Sequence, residues 1–176
     1  MKLAVMVASL RKDSANRQIF ENYQELAKNK FKFEEIEISN FPFYDSGVEN
    51  LDIVIKANEQ IAKCDGVLFF SPEYNYSLPA VLKNALDCIS RVENHAFAKK
   101  PAAIIGASPS PIATARMQYH LRQIGVYLDL RFLNKPEALI GGVYEKLQDR
   151  KITDESLKAF LTRHADAFYN FIKESK

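Results

Sequence analysis

The run Gly66-Val67-Leu68-Phe69-Phe70 carries no charge and no polar–apolar alternation. Such a run reads as a strand covered on both faces, and parallel sheets flanked by two layers of helices are where such strands occur. The same character recurs at Lys2–Ala8 and Pro101–Ala107, while Phe31–Ile38 alternates in part and Val126–Phe132 reads as a fifth strand. Helical spacing fills the intervals. One helix runs from about Ala15 to Asn29, with Ile19, Tyr23, Leu26 and Ala27 on its apolar stripe. Others run over Leu51–Lys63, over Ala80–Arg91 with Pro79 at or near the first turn, and over Ala113–Ile124, stopped at Gly125. Asn134–Gly142 reads as connection, and Asp154 caps a closing amphipathic helix to Ile172. Strands alternating with helices predict an α/β domain spanning residues 1–176, without repeats or linkers.

Composition removes several function classes. The 47% hydrophobic and 26% charged content is that of an ordinary soluble globular chain, and a net charge of +2 without a basic block gives nucleic acid nothing to hold. The apolar N-terminal stretch ends at Arg11-Lys12, too short to span a membrane, and lacks a cleavage signature. Cys64 and Cys88 have neither metal nor redox-pair spacing, so they read as buried free thiols of a cytoplasmic protein. His95, His120 and His164 stand far apart and predict no metal site; His95 and His164 read as surface residues. Asp87 and Arg91, four apart, read as an ion pair.

Two loops carry the chemistry. Ser71-Pro72-Glu73-Tyr74-Asn75-Tyr76-Ser77-Leu78-Pro79 follows the uncharged strand. Its prolines stiffen a backbone bearing tyrosines, an amide, a carboxylate and hydroxyls, which suits a flat ligand with polar edges such as a flavin ring. The second loop, Ser9 to Asn16, joins the first strand to the first helix. It has no glycine and so is neither a dinucleotide fingerprint nor a Walker loop, but it offers Ser9, Arg11, Ser14 and Asn16 at a helix N-terminus, an arrangement that suits phosphate. Taken singly, that loop also reads as Ser14 capping a helix beside solvated Arg11 and Lys12, although capping alone would not need Ser9, Arg11 and Asn16 as well. In a sheet of order 2-1-3-4-5 the first and third strands are neighbours at the switch point, and the two loops converge there.

These motifs, Ser9-Leu10-Arg11-Lys12-Asp13-Ser14-Ala15-Asn16 and Pro72-Glu73-Tyr74-Asn75-Tyr76-Ser77-x-Pro79-x-x-Leu82-Lys83-Asn84-Ala85-x-Asp87-x-x-Ser90-Arg91, resemble those of the NADPH-dependent FMN reductase family. Gln118–Gln123 and Asn134–Glu137 resemble its chromate and quinone reductase subgroup. The resemblance implies a flavodoxin-like three-layer sandwich with a five-stranded parallel sheet of order 2-1-3-4-5. It implies FMN as cofactor and NADPH or NADH as electron donor, with quinone, azo, chromate or flavin acceptors. Ser9, Arg11, Ser14, Ala15 and Asn16 would hold the FMN phosphate, Pro72, Glu73, Tyr74, Asn75 and Tyr76 would line the ribityl chain and ring, and Ser108 would sit at the ring. A homodimer or homotetramer is also implied.

One stretch departs from the pattern. Where relatives carry a glycine-rich run ending in Gly-Gly, this chain has Ser108-Pro109-Ser110-Pro111-Ile112-Ala113-Thr114-Ala115-Arg116. Proline fixes φ and removes an N–H, so the loop is stiffer and bulkier than a glycine-rich one. No catalytic side chain is demanded, because a flavin carries the hard chemistry and backbone N–H groups of Glu73 to Tyr76 suffice to stabilise a reduced ring. The competing readings are a non-enzymatic flavodoxin-like electron carrier and a phosphate-ester-binding module that has lost flavin.

Overall fold

The computed structural model describes residues 1–175. Its sheet is parallel, with strands β1 (Lys2–Val7), β2 (Lys32–Glu35), β3 (Gly66–Phe70), β4 (Pro101–Ala107) and β5 (Arg131–Phe132) in the order β2-β1-β3-β4-β5. The helices are α1 (Ala15–Ala27), α2 (Asp52–Ala62), α3 (Ala80–Ile89), α4 (Ala115–Tyr127) and α5 (Glu155–Glu174).

Alternate strand residues feed two cores. Ala4, Met6, Val67, Phe69, Ala102 and Ile104 point to the layer of α2, α3 and α4. Leu3, Val5, Leu68, Phe70, Ala103 and Ile105 point to the layer of α1 and α5. Every residue of β3 is buried, as its uncharged sequence requires, and Phe69 and Phe70 each contribute about 2–3 kcal/mol by leaving water on opposite faces.

The far edge of the sheet differs from the expectation. Gly125 does not stop α4, which continues through Val126 and Tyr127, residues expected in the fifth strand. A Cβ at Gly125 would lie 2.2 Å from the Phe132 ring, so this glycine serves close packing instead of helix termination. The fifth position is shared by two short strands laid against β4: β5 pairs with Pro101–Ala102, and β6 (Ala138–Ile140), inside the stretch read as connection, pairs with Ile105–Ala107. β2 is also shorter than expected. A small hairpin, β7 (Leu147–Gln148) with β8 (Lys151–Ile152), had no clear sequence signal. Asn22 anchors it to α1, donating to the Arg150 carbonyl at 2.8 Å and accepting from Ile152 N at 3.0 Å.

Asp154 caps α5 as expected, accepting from Leu157 N at 2.9 Å. His164, expected at the surface, is buried between α5 and α1, its Nδ1 3.2 Å from the Tyr23 hydroxyl. The apolar stripes of the two helices bring these groups face to face, and the imidazole and phenol satisfy each other. Asp87 does not pair with Arg91. It takes Lys83 at 2.7 Å, one turn earlier, while Arg91 lies over the rings of Tyr44 and Tyr127. Cys64 and Cys88 are buried free thiols, and burial raises both above the ordinary thiol range.

Candidate active site

The loops leaving the C-terminal ends of β1, β3 and β4 meet at the switch point between β1 and β3. Ser14 caps α1, its Oγ accepting from Arg17 N at 3.3 Å, which leaves the hydroxyl proton free to donate. Asn16 is buried and exchanges two hydrogen bonds with Ala107: its Nδ2 donates to the carbonyl at 3.0 Å and its Oδ1 accepts from the amide at 2.9 Å. The amide therefore welds α1 to the end of β4 and keeps one N–H for a ligand. Ser9 is half-buried. The Arg11 side chain is exposed, and its contact with Asp13 is loose, at 3.7 Å.

Beyond β3 the backbone closes a two-residue turn. Tyr74 and Ser77 exchange backbone hydrogen bonds of 2.9 Å each, with Asn75 and Tyr76 at φ of 50° and 65°. Positive φ at both central positions is the mirror-image hairpin turn normally filled by Asn-Gly; an asparagine tolerates it and a tyrosine does not without strain. Tyr76 is 70% exposed, and the Arg116 guanidinium sits 4.1 Å from its ring centre. The Tyr74 amide is spent on Ser77, so the backbone donors available here narrow to those of Glu73, Asn75 and Tyr76. The Glu73 carboxylate turns toward α4, accepting from Met117 N at 2.9 Å and standing 3.6 Å from Arg116. Thr114, the residue before α4, makes no side-chain cap, and Glu73 supplies one from another loop.

The Ser-Pro-Ser-Pro loop is laced to the segment after β6. Ser108 donates its amide to the Ile140 carbonyl at 3.0 Å and accepts from Val143 N at 3.2 Å, while its Oγ accepts from Ser110 N at 3.0 Å. Gly141 lets this loop approach, since a Cβ there would lie 2.9 Å from the Pro111 carbonyl oxygen.

Together these loops enclose a cleft of about 120 Å³ lined by Ser9, Arg11, Ser14, Ala15, Asn16, Pro72, Glu73, Tyr74, Ala107, Ser108, Pro109 and Tyr144. Of the candidate residues only Asn75 and Tyr76 lie outside its lining. Tyr144 is a wall that sequence reasoning missed; it stands in a 3-10 turn, Val143–Glu145, entered through Gly142 at a φ of 59°. No sequence motif marks it. The Gly141-Gly142 pair belongs to the stretch read as connection, which does not say which cleft the next side chains face. Among the described residues, no group of three His, Cys, Asp or Glu side chains gathers that could hold a metal ion.

Residues 1–145 match the family described as NADPH-dependent FMN reductase. The chain belongs to that family. It is 36% identical over 180 residues to the 2-hydroxy-1,4-benzoquinone reductase of a Burkholderia species, covering 100% of this chain and 98% of the relative. It is 37% identical over 183 residues to the quinone reductase of Escherichia coli strain K12, covering 100% and 97%. The solved flavoenzyme NAD(P)H:(acceptor) oxidoreductase FerB of Paracoccus denitrificans superposes with a TM-score of 0.92 at 34% identity, covering 98% of this chain and 97% of FerB. A Pseudomonas aeruginosa flavodoxin variant, at 16% identity and a TM-score of 0.62, shares the fold alone. The family and its quinone-reductase relatives make this chain an enzyme of the NAD(P)H-dependent FMN and quinone reductase kind.

Proposed function

We propose that the chain binds FMN in the cleft at the switch point and uses it to pass a hydride from NADPH or NADH to a quinone. The observation that carries this reading is the convergence, in one cleft, of unspent donors from the first loop with the rigid turn of the third strand. The donor set fits the cofactor. Arg11 offers a nearly unpaired guanidinium, the hydroxyls of Ser9 and Ser14 have protons to give, Asn16 keeps one N–H, and Ala15 and Asn16 open α1, whose dipole favours an anion. These residues would hold the phosphate. The cleft is smaller than the roughly 300 Å³ of a typical small-molecule site, so it suits the phosphate and ribityl end and leaves the ring to the Tyr74–Ser77 turn.

When bound, FMN supplies the hydride chemistry itself. The chain's part is to orient and to shield. The backbone N–H groups of Glu73, Asn75 and Tyr76 would offer donors to a ring edge, Ser108 would offer a hydroxyl from the opposite loop, and Pro72 and Pro109 stiffen both walls. No side chain is assigned acid–base work.

Chromate, azo compounds and free flavin are further acceptors that a permissive reduced ring would serve. A homodimer or homotetramer is part of this proposal; the reading comes from the family, and exposed Phe43 and Val126 offer apolar surface it could cover. No described helix is long and apolar enough to cross a membrane.

The test is the visible absorption spectrum of the purified protein before and after NADPH is added without oxygen. Two flavin bands that bleach, and recover on adding benzoquinone, are expected. A colourless protein that takes up no added FMN would overturn the reading. A yellow protein that NAD(P)H does not bleach would be an electron carrier.

A further inference from the structure

A second concavity adjoins the cleft. It measures about 370 Å³ and is lined by Ala8, Leu10, Arg11, Tyr74, Pro79, Ala80 and Val81. It lies between the loop after β1 and the first turn of α3, and it shares Arg11 and Tyr74 with the cofactor cleft. Leu10 is 65% and Tyr74 44% exposed, so two large apolar side chains are held in water beside the site. Capping α1 explains Ser14, and nothing in the capping requires a leucine at position 10.

We propose that this groove seats the apolar substituent of the acceptor, so that the chain's preferred substrates are alkyl- or prenyl-substituted quinones. The inference rests on the reading of the adjoining cleft as the site of an FMN-dependent quinone reductase. Its chemistry selects the occupant. A pyridine dinucleotide would bring phosphates and ribose hydroxyls against the side chains of leucine, valine, proline and alanine, with Arg11 and Tyr74 the polar side chains of the lining, and would lose much of its hydration without replacement. A hydrocarbon chain meets no such cost. The groove is large enough for one, and continuity through Tyr74 joins it to the place where the quinone ring must react. Leu10 and Val81 are then specificity-determining residues, neither having a part in holding the cofactor.

The test uses the FMN-loaded protein with two acceptors, 1,4-benzoquinone and a benzoquinone bearing a decyl chain, in the parent and in Leu10→Ser and Val81→Ser. The parent is expected to show kcat/KM roughly tenfold higher for the alkylated quinone, and each variant to lose most of that preference while keeping its turnover of benzoquinone and its flavin absorption. A second readout is the dissociation constant of the decyl hydroquinone for the oxidised protein, expected to weaken by about tenfold in each variant. Equal kcat/KM for the two acceptors in the parent would overturn the proposal. So would variants that lose both acceptors equally. If Leu10→Ser instead converts an oligomer to monomers on gel filtration with loss of both activities, a second copy fills the groove and the proposal falls. A protein without flavin bands would fail at the underlying reading, a result visible before any acceptor is added.

Discussion

The two ends of the candidate site are built on opposite principles. At the phosphate end, Ser14 and Asn16 are buried and each performs a structural task, one capping α1 and the other bonding both polar groups of Ala107. At the ring end, Tyr74, Asn75 and Tyr76 are exposed, two of them at positive φ, and their side chains carry no part of either core. One end is thus made by folding, and in the proposed function the same residues would serve a ligand. The other is held in an unfavourable shape by neighbours, an arrangement typical of functional turns. Mutations at the first should cost stability and binding together, whereas mutations at the second should separate them.

The largest effect expected is at Asn16. Asn16→Ala leaves the Ala107 N–H and carbonyl buried without partners, which costs about 2–5 kcal/mol and lowers the melting temperature by roughly 10 °C. Calorimetry of the flavin-free protein checks this, and an unchanged melting temperature would remove the contrast between the two ends.

The seat of α1 gives a pH dependence. Burial lowers the His164 pKa to about 4, against an ordinary value of 6.5, so between those values the unfolded chain binds a proton that the folded chain refuses. Stability therefore falls as pH drops from about 6.5 to 4, by about 3 kcal/mol in all. His164→Gln, which keeps a partner for the Tyr23 hydroxyl, should flatten that part of the profile in urea unfolding at graded pH. A profile identical to the parent's would show that other groups control acid stability.

Arg11 should behave differently from Asn16, because its side chain is exposed and supports no other element. Arg11→Ala is expected to weaken FMN by about 10- to 100-fold, the worth of a charge-assisted hydrogen bond, while riboflavin binding and the melting temperature of the flavin-free protein stay unchanged. Titrations of both flavins by fluorescence quenching separate the outcomes. Equal losses for FMN and riboflavin would place Arg11 away from the phosphate.

How much of this was legible in the sequence follows the same division. The parallel sheet was legible because uncharged runs such as Gly66–Phe70 leave few alternatives, its strand order came with the family resemblance, and the cleft was legible because loops at strand ends converge there. What stayed hidden depends on distant partners. His164 looks like any histidine on a helix until Tyr23 is placed opposite it. Gly125 reads as a stop until Phe132 fills the space its missing Cβ leaves. Glu73 reads as a pocket carboxylate, yet its side chain is claimed by the first turn of α4, forty-four residues away. Tyr144 lines the cleft from a turn three residues beyond Gly141, where the Ser-Pro-Ser-Pro loop lies close.

The smallest effect, at Tyr76, tests the ring end most directly. A non-glycine residue in the left-handed region costs about 1–2 kcal/mol, and an exposed arginine over an aromatic ring returns about 0.5–1 kcal/mol. Tyr76→Gly removes both and adds glycine's unfolded-state freedom, so the net change should be a gain of at most about 1 kcal/mol in the flavin-free protein, measured by urea unfolding. The same variant should bind FMN more weakly, because a glycine turn is free to leave the shape that the tyrosine is held in. Stability up and flavin affinity down in one protein would mean that the strain is kept for the ligand. If stability falls instead, the Arg116–Tyr76 stack is a folding contact, and the ring end is built on the same principle as the phosphate end.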